Sequence, residues 1–334
     1  MLRSPQGLEL QRLSDGGVVW DNHLCMPLRP SDPSFLPQLE RCREAGIDIV
    51  TLNVGYGKDS IEPHIRMLSL FRDWIAEHPQ LCRLVLSTSD AKAAKAAGQL
   101  GVCFDIEGMT AIADQVDLVR IYYDLGVRWM LIAYNKNNAA GGGCLDVDSG
   151  LTSFGRKIIE KMNAVGMVLC CTHAGDRTAR EAIDASSSPV IFSHSNPRAV
   201  FDHPRNIPDD VMRACASRGG VIGLNGIGIF LGKNDASIDT VVRHVEYVLD
   251  LVGENHVGIG TDYAFDQDGT AQAVAANPEA FPPELFPAGD GFAMLPPWQL
   301  PELAQALNRR GHSTETLGKL FGGNLMRIAG QVWR

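Results

Sequence analysis

Residues 166–194 read GMVLCCTHAGDRTAREAIDASSSPVIFSH, and their pattern decides the fold class. A short, mostly apolar run (166–173) is followed by a segment of helical period (176–185) and then by a second apolar run (189–194). Apolar residues on both faces of a short run describe a strand buried on both sides, as in a parallel sheet covered by helices; a strand with one wet face would alternate. Both runs close on a histidine, His173 and His194.

The same alternation recurs outward along the chain. Further apolar runs span 17–25, 46–53, 101–107, 127–134, 219–225 and 256–262, which makes eight in all. Segments of helical period occupy 34–45, 62–77, 111–125, 153–165, 208–217 and 237–252, with Asp209 and Asp210 suited to the first turn of the segment they occupy. Eight strand–helix units predict an α/β chain folded as a closed (β/α)8 TIM barrel, one domain over residues 1–334, rather than an open doubly wound sheet. A dinucleotide-binding sheet would also carry GxGxxG after its first strand, but that strand ends here in Asp21-Asn22-His23, and Gly226-Ile227-Gly228 is too short a match. Residues 264–300 break the rhythm with six prolines and an AQAVAAN tract. They read as an irregular insertion after the eighth strand, either a lid over the barrel mouth or a surface insertion or subunit contact. Two helical segments, 300–310 and 313–330, end the chain.

With 45% hydrophobic residues among 334, the chain has ample material for a large core. Lys and Arg number 30 against 39 Asp and Glu, so no positive field exists for a phosphate backbone, and nucleic acid is not an expected partner. Eight scattered cysteines form neither a disulfide framework nor a CxxC knuckle and point to a reducing cytoplasm. The opening MLRSPQGLELQRLSDGG lacks the apolar stretch of a signal peptide, and no run reaches the roughly 20 apolar residues that span a bilayer, so no membrane insertion is expected.

In a barrel enzyme the chemistry sits at the C-terminal ends of the strands, where the loops converge. The first run closes on Asp21, His23 and Cys25, the third on Asp105 and Glu107, the fifth on His173, the sixth on His194 and the eighth on Asp262. Taken singly, each has a plain structural reading as a satisfied core histidine or a helix-capping carboxylate. Gathered at one mouth, imidazoles and carboxylates would repel or go unsatisfied unless a cation joined them, and histidine with carboxylate suits zinc and similar divalent ions.

The stretches DNHLCMP (21–27), FDIEG (104–108), CTHAG (171–175), IFSHS (191–195), RNIPDDV (205–211), HVGIGTD (256–262) and GGNLMRI (322–328), in this order, resemble the membrane (renal) dipeptidase family, metallopeptidase family M19. The likeness covers residues 18 to 330 and implies a binuclear zinc peptidase on an amidohydrolase-type barrel. It implies that His23 holds the first metal, that Glu107 bridges two metals, and that His173 and His194 hold the second. Asp262 is then the acid that holds the bridging water and shuttles its proton, and Arg205 the group that grips the substrate's C-terminal carboxylate. For Arg205 the plainer alternative is a salt bridge to the neighbouring Asp209 and Asp210.

Two positions depart from the family pattern. Its first motif reads Asp-x-His-x-Asp with the second aspartate a metal ligand, and that slot is Cys25; either a softer thiolate site is retained or one metal is lost. After the fourth strand, where the family carries a histidine near the substrate carbonyl, stands Tyr134, whose phenol can donate to a developing oxyanion but supplies no cation near neutral pH. The expected activity is metal-dependent hydrolysis of the amide bond of a dipeptide or similar small substrate, with one or two zinc ions or another divalent metal. The alternatives are a specialised amidohydrolase or lactonase acting on another small molecule, and a catalytically weak metal-binding relative. The resemblance also makes a homodimer an expected assembly.

Overall fold

The computed structural model describes residues 3–112, 115–287 and 291–334. Eight parallel strands form a barrel: β1 (Trp20–Cys25), β2 (Ile49–Tyr56), β3 (Leu100–Glu107), β4 (Val127–Leu131), β5 (Val168–Cys170), β6 (Ile191–Phe192), β7 (Val221–Leu224) and β8 (Val257–Ile259). Each falls within or overlaps one of the eight apolar runs. Burial on both faces explains the unbroken hydrophobicity: all eight residues of β3 and seven of eight in β2 are buried.

Closure depends on a break in the last strand. β8 pairs with β7, and the chain then leaves the ladder at Gly260–Asp262 before Tyr263–Ala264 pairs with the end of β1, Leu24 opposite Tyr263 and Cys25 opposite Ala264. Asp262 takes a left-handed backbone (φ 57°) at this break, and its N–H donates to the His23 carbonyl at 3.0 Å. Asp21, fully buried, accepts from the Thr261 N–H (2.9 Å) and hydroxyl (2.7 Å) and so clamps the first strand to the last. Burial pushes its carboxyl up to about 7, against the pull of those bonds.

At the opposite end of the barrel, residues from the strand starts, among them Trp20, Ile49, Val168, Ile191 and Val221, form one apolar cluster with Leu325, Ile328, Ala329 and Val332 of the last helix. That end is a packed plug. Among the described residues, the polar strand ends are therefore left as the open face of the barrel interior.

The helices Ser153–Val165 and Asp176–Ala185 match their sequence-predicted bounds. Thr152 caps the first by accepting from the Gly155 N–H, and Gly166 ends it with φ 88°. Elsewhere the predicted bounds need correction. The 34–45 segment begins as a 3-10 turn at Leu36–Gln38, with Pro37 inside it, before the helix Leu39–Glu44. The 111–125 segment divides into a 3-10 turn, Thr110–Ile112, and a helix, Leu118–Asp124; its positions 113 and 114 lie outside the described residues. The 313–330 segment carries a π turn, Lys319–Gly323, between Thr314–Gly318 and Asn324–Val332. There Gly322 lies so close to the Val18 carbonyl that an added Cβ would stand 2.0 Å from it, which excludes any side chain.

The sequence reading assigned no structure to the helix Pro5–Leu13, or to the strand Cys82–Leu84 and helix Thr88–Ala96 inserted between β2 and β3. The 264–300 insertion is less irregular than expected. It holds a helix, Gln267–Ala276, capped by Asp266, and the alanine-rich tract forms its body until Pro278 stops it. Among the described residues no helix is long and apolar enough to cross a membrane.

A candidate metal centre at the strand ends

Strand pairing brings the site together. The parallel register sets Asn53 opposite Asp105 and Tyr56 opposite Glu107, so β2 and β3 present their polar ends side by side. His23 Nδ1 donates to Asp105 Oδ2 at 2.5 Å. Asp105 is held in turn by the Asn53 amide (3.2 Å) and the Trp129 indole N–H (3.1 Å). With Nδ1 committed, His23 Nε2 points into the mouth. His173 is fixed the same way, Nδ1 donating to Asn135 Oδ1 at 2.7 Å, and His194 Nδ1 pairs with the Ser193 hydroxyl at 2.9 Å.

The three Nε2 atoms converge on one carboxylate oxygen. Glu107 Oε1 lies 3.1 Å from His173, 3.2 Å from His194 and 3.8 Å from His23, and it is buried with no hydrogen-bond partner among the described residues. His173 Nε2 and His194 Nε2 are themselves 3.1 Å apart. Burial, together with the Arg205 charge for His173 and the His23 charge for His194, holds both imidazoles well below their ordinary range and hence neutral. Burial raises Glu107 to about 8, with His23 opposing and Asp262 adding to the shift. A buried carboxyl group raised in this way and two neutral imidazoles 3.1–3.2 Å from it suit a divalent cation, which would take the place of the proton that Glu107 otherwise keeps.

Donor spacing fits the same group. Ligand atoms about 2.0–2.3 Å from a tetrahedral zinc stand roughly 3.3–3.8 Å from one another. The Glu107, His173 and His194 atoms are 3.1–3.2 Å apart. A second triangle is formed by His23 Nε2, Cys25 Sγ and Asp262 Oδ1, with edges of 3.5, 3.4 and 3.5 Å. Without an ion the Cys25 thiol donates to Asp262, and burial, partly offset by His23, pushes it up to about 12. Asp262 Oδ2 accepts from the Asn225 amide at 2.8 Å, and burial raises its carboxyl above the ordinary range.

The description of membrane dipeptidases, peptidase family M19, matches residues 38–280, more than half of the chain. The chain belongs to the membrane dipeptidase family. Among its relatives are an uncharacterized dipeptidase of Schizosaccharomyces pombe, 32% identical over 67% of this chain and 51% of that protein, and dipeptidase 3 of Rattus norvegicus, 28% identical over 82% of this chain and 53% of that protein. The chain thus spans about half the length of these relatives. A solved amidohydrolase of Pseudomonas aeruginosa superposes with a TM-score of 0.88 at 28% identity, covering 97% of this chain and 99% of that one. A metallopeptidase of Rhodobacter sphaeroides, solved with a phosphinate mimic of L-Ala-D-Ala, shares the fold with a TM-score of 0.78 at 19% identity, over 95% of this chain and 99% of that one. His23 and Cys25 precede the stretch matched to the family, so their place in the centre rests on the geometry alone.

The remaining residues named from the sequence lie around this centre. Tyr134 stacks on His173 with ring centroids 4.1 Å apart, and burial lifts its phenol well above the ordinary range, so it is a neutral donor. Arg205 is 3% exposed; Nη2 donates to the His194 carbonyl at 3.4 Å, the guanidinium faces the Phe230 ring at 5.1 Å, and Nε has no hydrogen-bond partner among the described residues. The salt bridge to Asp209 and Asp210 does not form, because Asp210 pairs with Arg180 and Asp209 accepts from the Tyr247 hydroxyl. A cavity of about 400 Å³ opens above Glu107, His173 and Asp262, walled by the 264–300 insertion through residues such as Thr270, Val274 and Phe281. The insertion is therefore a lid over the mouth.

Sequence reading missed Asn135 and Asn225. Asn135 directly follows the fourth run and combines a left-handed backbone (φ 54°), the bond that orients His173, and a 3.3 Å bond from its amide to the lid carbonyl of Ala280. An asparagine among polar residues after a strand looks like loop, and only its partner reveals its task.

Proposed function

We propose that this chain is a zinc-dependent dipeptidase acting in a reducing, cytoplasmic setting, which suits its eight free thiols. The carrying observation is the unpartnered Glu107 oxygen ringed by three histidine Nε2 atoms. His173, His194 and Glu107 would hold one ion, and His23 and Cys25 a second beside Glu107 and Asp262, whose oxygens stand 3.8 and 3.5 Å from His23 Nε2. When bound, the cation supplies Lewis acidity: it draws charge from the substrate carbonyl and makes water acidic enough to attack near neutral pH.

The chain's own groups do the rest. Asn225 holds Oδ2 of Asp262, which leaves the carboxylate oriented to take a proton from the attacking water and return it to the leaving amine as the C–N bond breaks. Tyr134, neutral beside His173, donates to the oxygen on which charge develops. Arg205, buried with a free Nε, pairs with the terminal carboxylate of the substrate and so favours dipeptides over longer chains. Family membership favours amide hydrolysis over the lactonase alternative. The test is metal analysis of the purified protein together with hydrolysis of L-L and L-D dipeptides; bound zinc with turnover is expected. Protein that binds no divalent metal, or that cleaves no dipeptide when loaded, would overturn the proposal.

A further inference from the structure

The cavity has two chemically distinct halves. Its floor carries Glu107, His173 and Asp262, while its upper wall is apolar, with Ile229, Val274, Phe281, Phe286 and Phe292. The only charged groups lining it away from the floor, Arg29 and Asp266, are bonded to each other at 2.7 Å, so the wall offers no free charge among the described residues. The rings interlock edge to face: Phe281 with Phe286 at 5.3 Å, Phe286 with Phe230 at 5.9 Å, and Phe281 with Tyr134 at 6.2 Å. Phe281 and Phe286 come from the lid, and His203 fixes them relative to the floor. Its Nδ1 accepts from the Arg205 N–H at 3.1 Å and its Nε2 donates to the Leu285 carbonyl at 3.3 Å.

We infer that this aromatic box is a side-chain subsite that selects dipeptides bearing a bulky apolar residue over those with small or charged side chains. The inference rests on the dipeptidase reading and names the substrate class within it. A charged side chain placed against this wall loses its hydration and gains no partner, whereas an apolar one fills a space that otherwise leaves ring faces wet. At about 400 Å³ the cavity has room for little more than one such substrate.

Two measurements separate this subsite from the reaction itself. With zinc-loaded protein, kcat/KM is compared for Gly-Phe, Phe-Gly, Gly-Asp, Asp-Gly and Gly-Gly; a preference of about tenfold or more for one of the phenylalanine dipeptides is expected, in line with the discrimination of apolar pockets. Phe281→Ala and, as a second variant from another part of the lid, Phe292→Ala should each shrink that ratio several-fold. With metal-free protein, which reads binding without turnover, calorimetry should show L-Phe-L-Phe binding at least several-fold more tightly than Gly-Gly. Equal kcat/KM across the series, or equal binding of the two dipeptides, overturns the subsite while leaving the dipeptidase reading intact. Tighter binding of L-Phe-L-Phe with no turnover of any dipeptide supports the subsite and overturns the dipeptidase reading.

Discussion

Replacing Asn135 by glycine should weaken zinc binding at the Glu107, His173 and His194 triangle without unfolding the protein. Glycine is the informative choice because the backbone at 135 has φ 54°, which glycine adopts freely and alanine does not. What disappears is the amide oxygen 2.7 Å from His173 Nδ1, in a site where the residue is fully buried. The imidazole then loses the bond that fixes its tautomer and aims Nε2 at Glu107 Oε1, 3.1 Å away. Loss of such an outer partner costs about 10–100-fold in metal affinity, or roughly 1.4–2.7 kcal/mol. The unpaired Nδ1–H adds about 1–3 kcal/mol of lost stability. Zinc affinity measured by competition with a chromophoric chelator, beside a thermal melt of the metal-free protein, reads both effects. Asn135→Asp retains an acceptor and tolerates the same backbone, so it should keep affinity within a few-fold of wild type. If Asn135→Gly bound zinc as tightly as the wild type, the oriented-imidazole argument would be refuted.

Three further outcomes are expected. Asp262→Asn should lower turnover by about 10²–10⁴-fold, the range for a proton-transfer group, while metal analysis still finds the ion at Glu107, His173 and His194; near-normal rates would remove Asp262 from its role. Cobalt-loaded protein should show a near-ultraviolet sulfur-to-cobalt absorption that Cys25→Ser abolishes, and a spectrum unchanged by the substitution would exclude thiolate ligation. Acid should destabilise the fold through His64 and His244, both buried and both held down to about 4 by burial. Between about pH 6.5 and 4 the unfolded chain binds protons that the folded chain does not, so stability falls as pH falls, by about 3 kcal/mol per histidine at pH 4. Denaturant titrations at pH 7 and 4.5 check this, and a His64→Gln variant with an undiminished pH slope would count against it.

Much of the barrel was legible because its strands are buried on both faces, and such strands announce themselves as unbroken apolar runs like GVCFDIE. The helix Gln267–Ala276 was also readable in principle, from an aspartate cap and an alanine-rich body, but the surrounding prolines drew the stretch toward loop. The strand Cys82–Leu84 was not readable, since three residues carry no period and its pairing with β3 is a tertiary fact.

At the site the division follows the same physics. The residues able to ligate were fixed in the one-dimensional pattern, because a strand end is where an apolar run stops and His23, Glu107, His173, His194 and Asp262 are what it stops on. The sequence alone could not say that Glu107 Oε1 lacks a partner, that Cys25 stays within 3.5 Å of both His23 and Asp262, or that Asn135 aims His173. Nor could it say that Arg205 ignores the aspartates four and five positions on and packs against Phe230 instead. Those facts depend on the closure of the barrel through the broken last strand, which sets residues 237 positions apart, Cys25 and Asp262, side by side. Local propensity shapes each element, but distances between elements are fixed only when the hydrophobic core of the ring is packed.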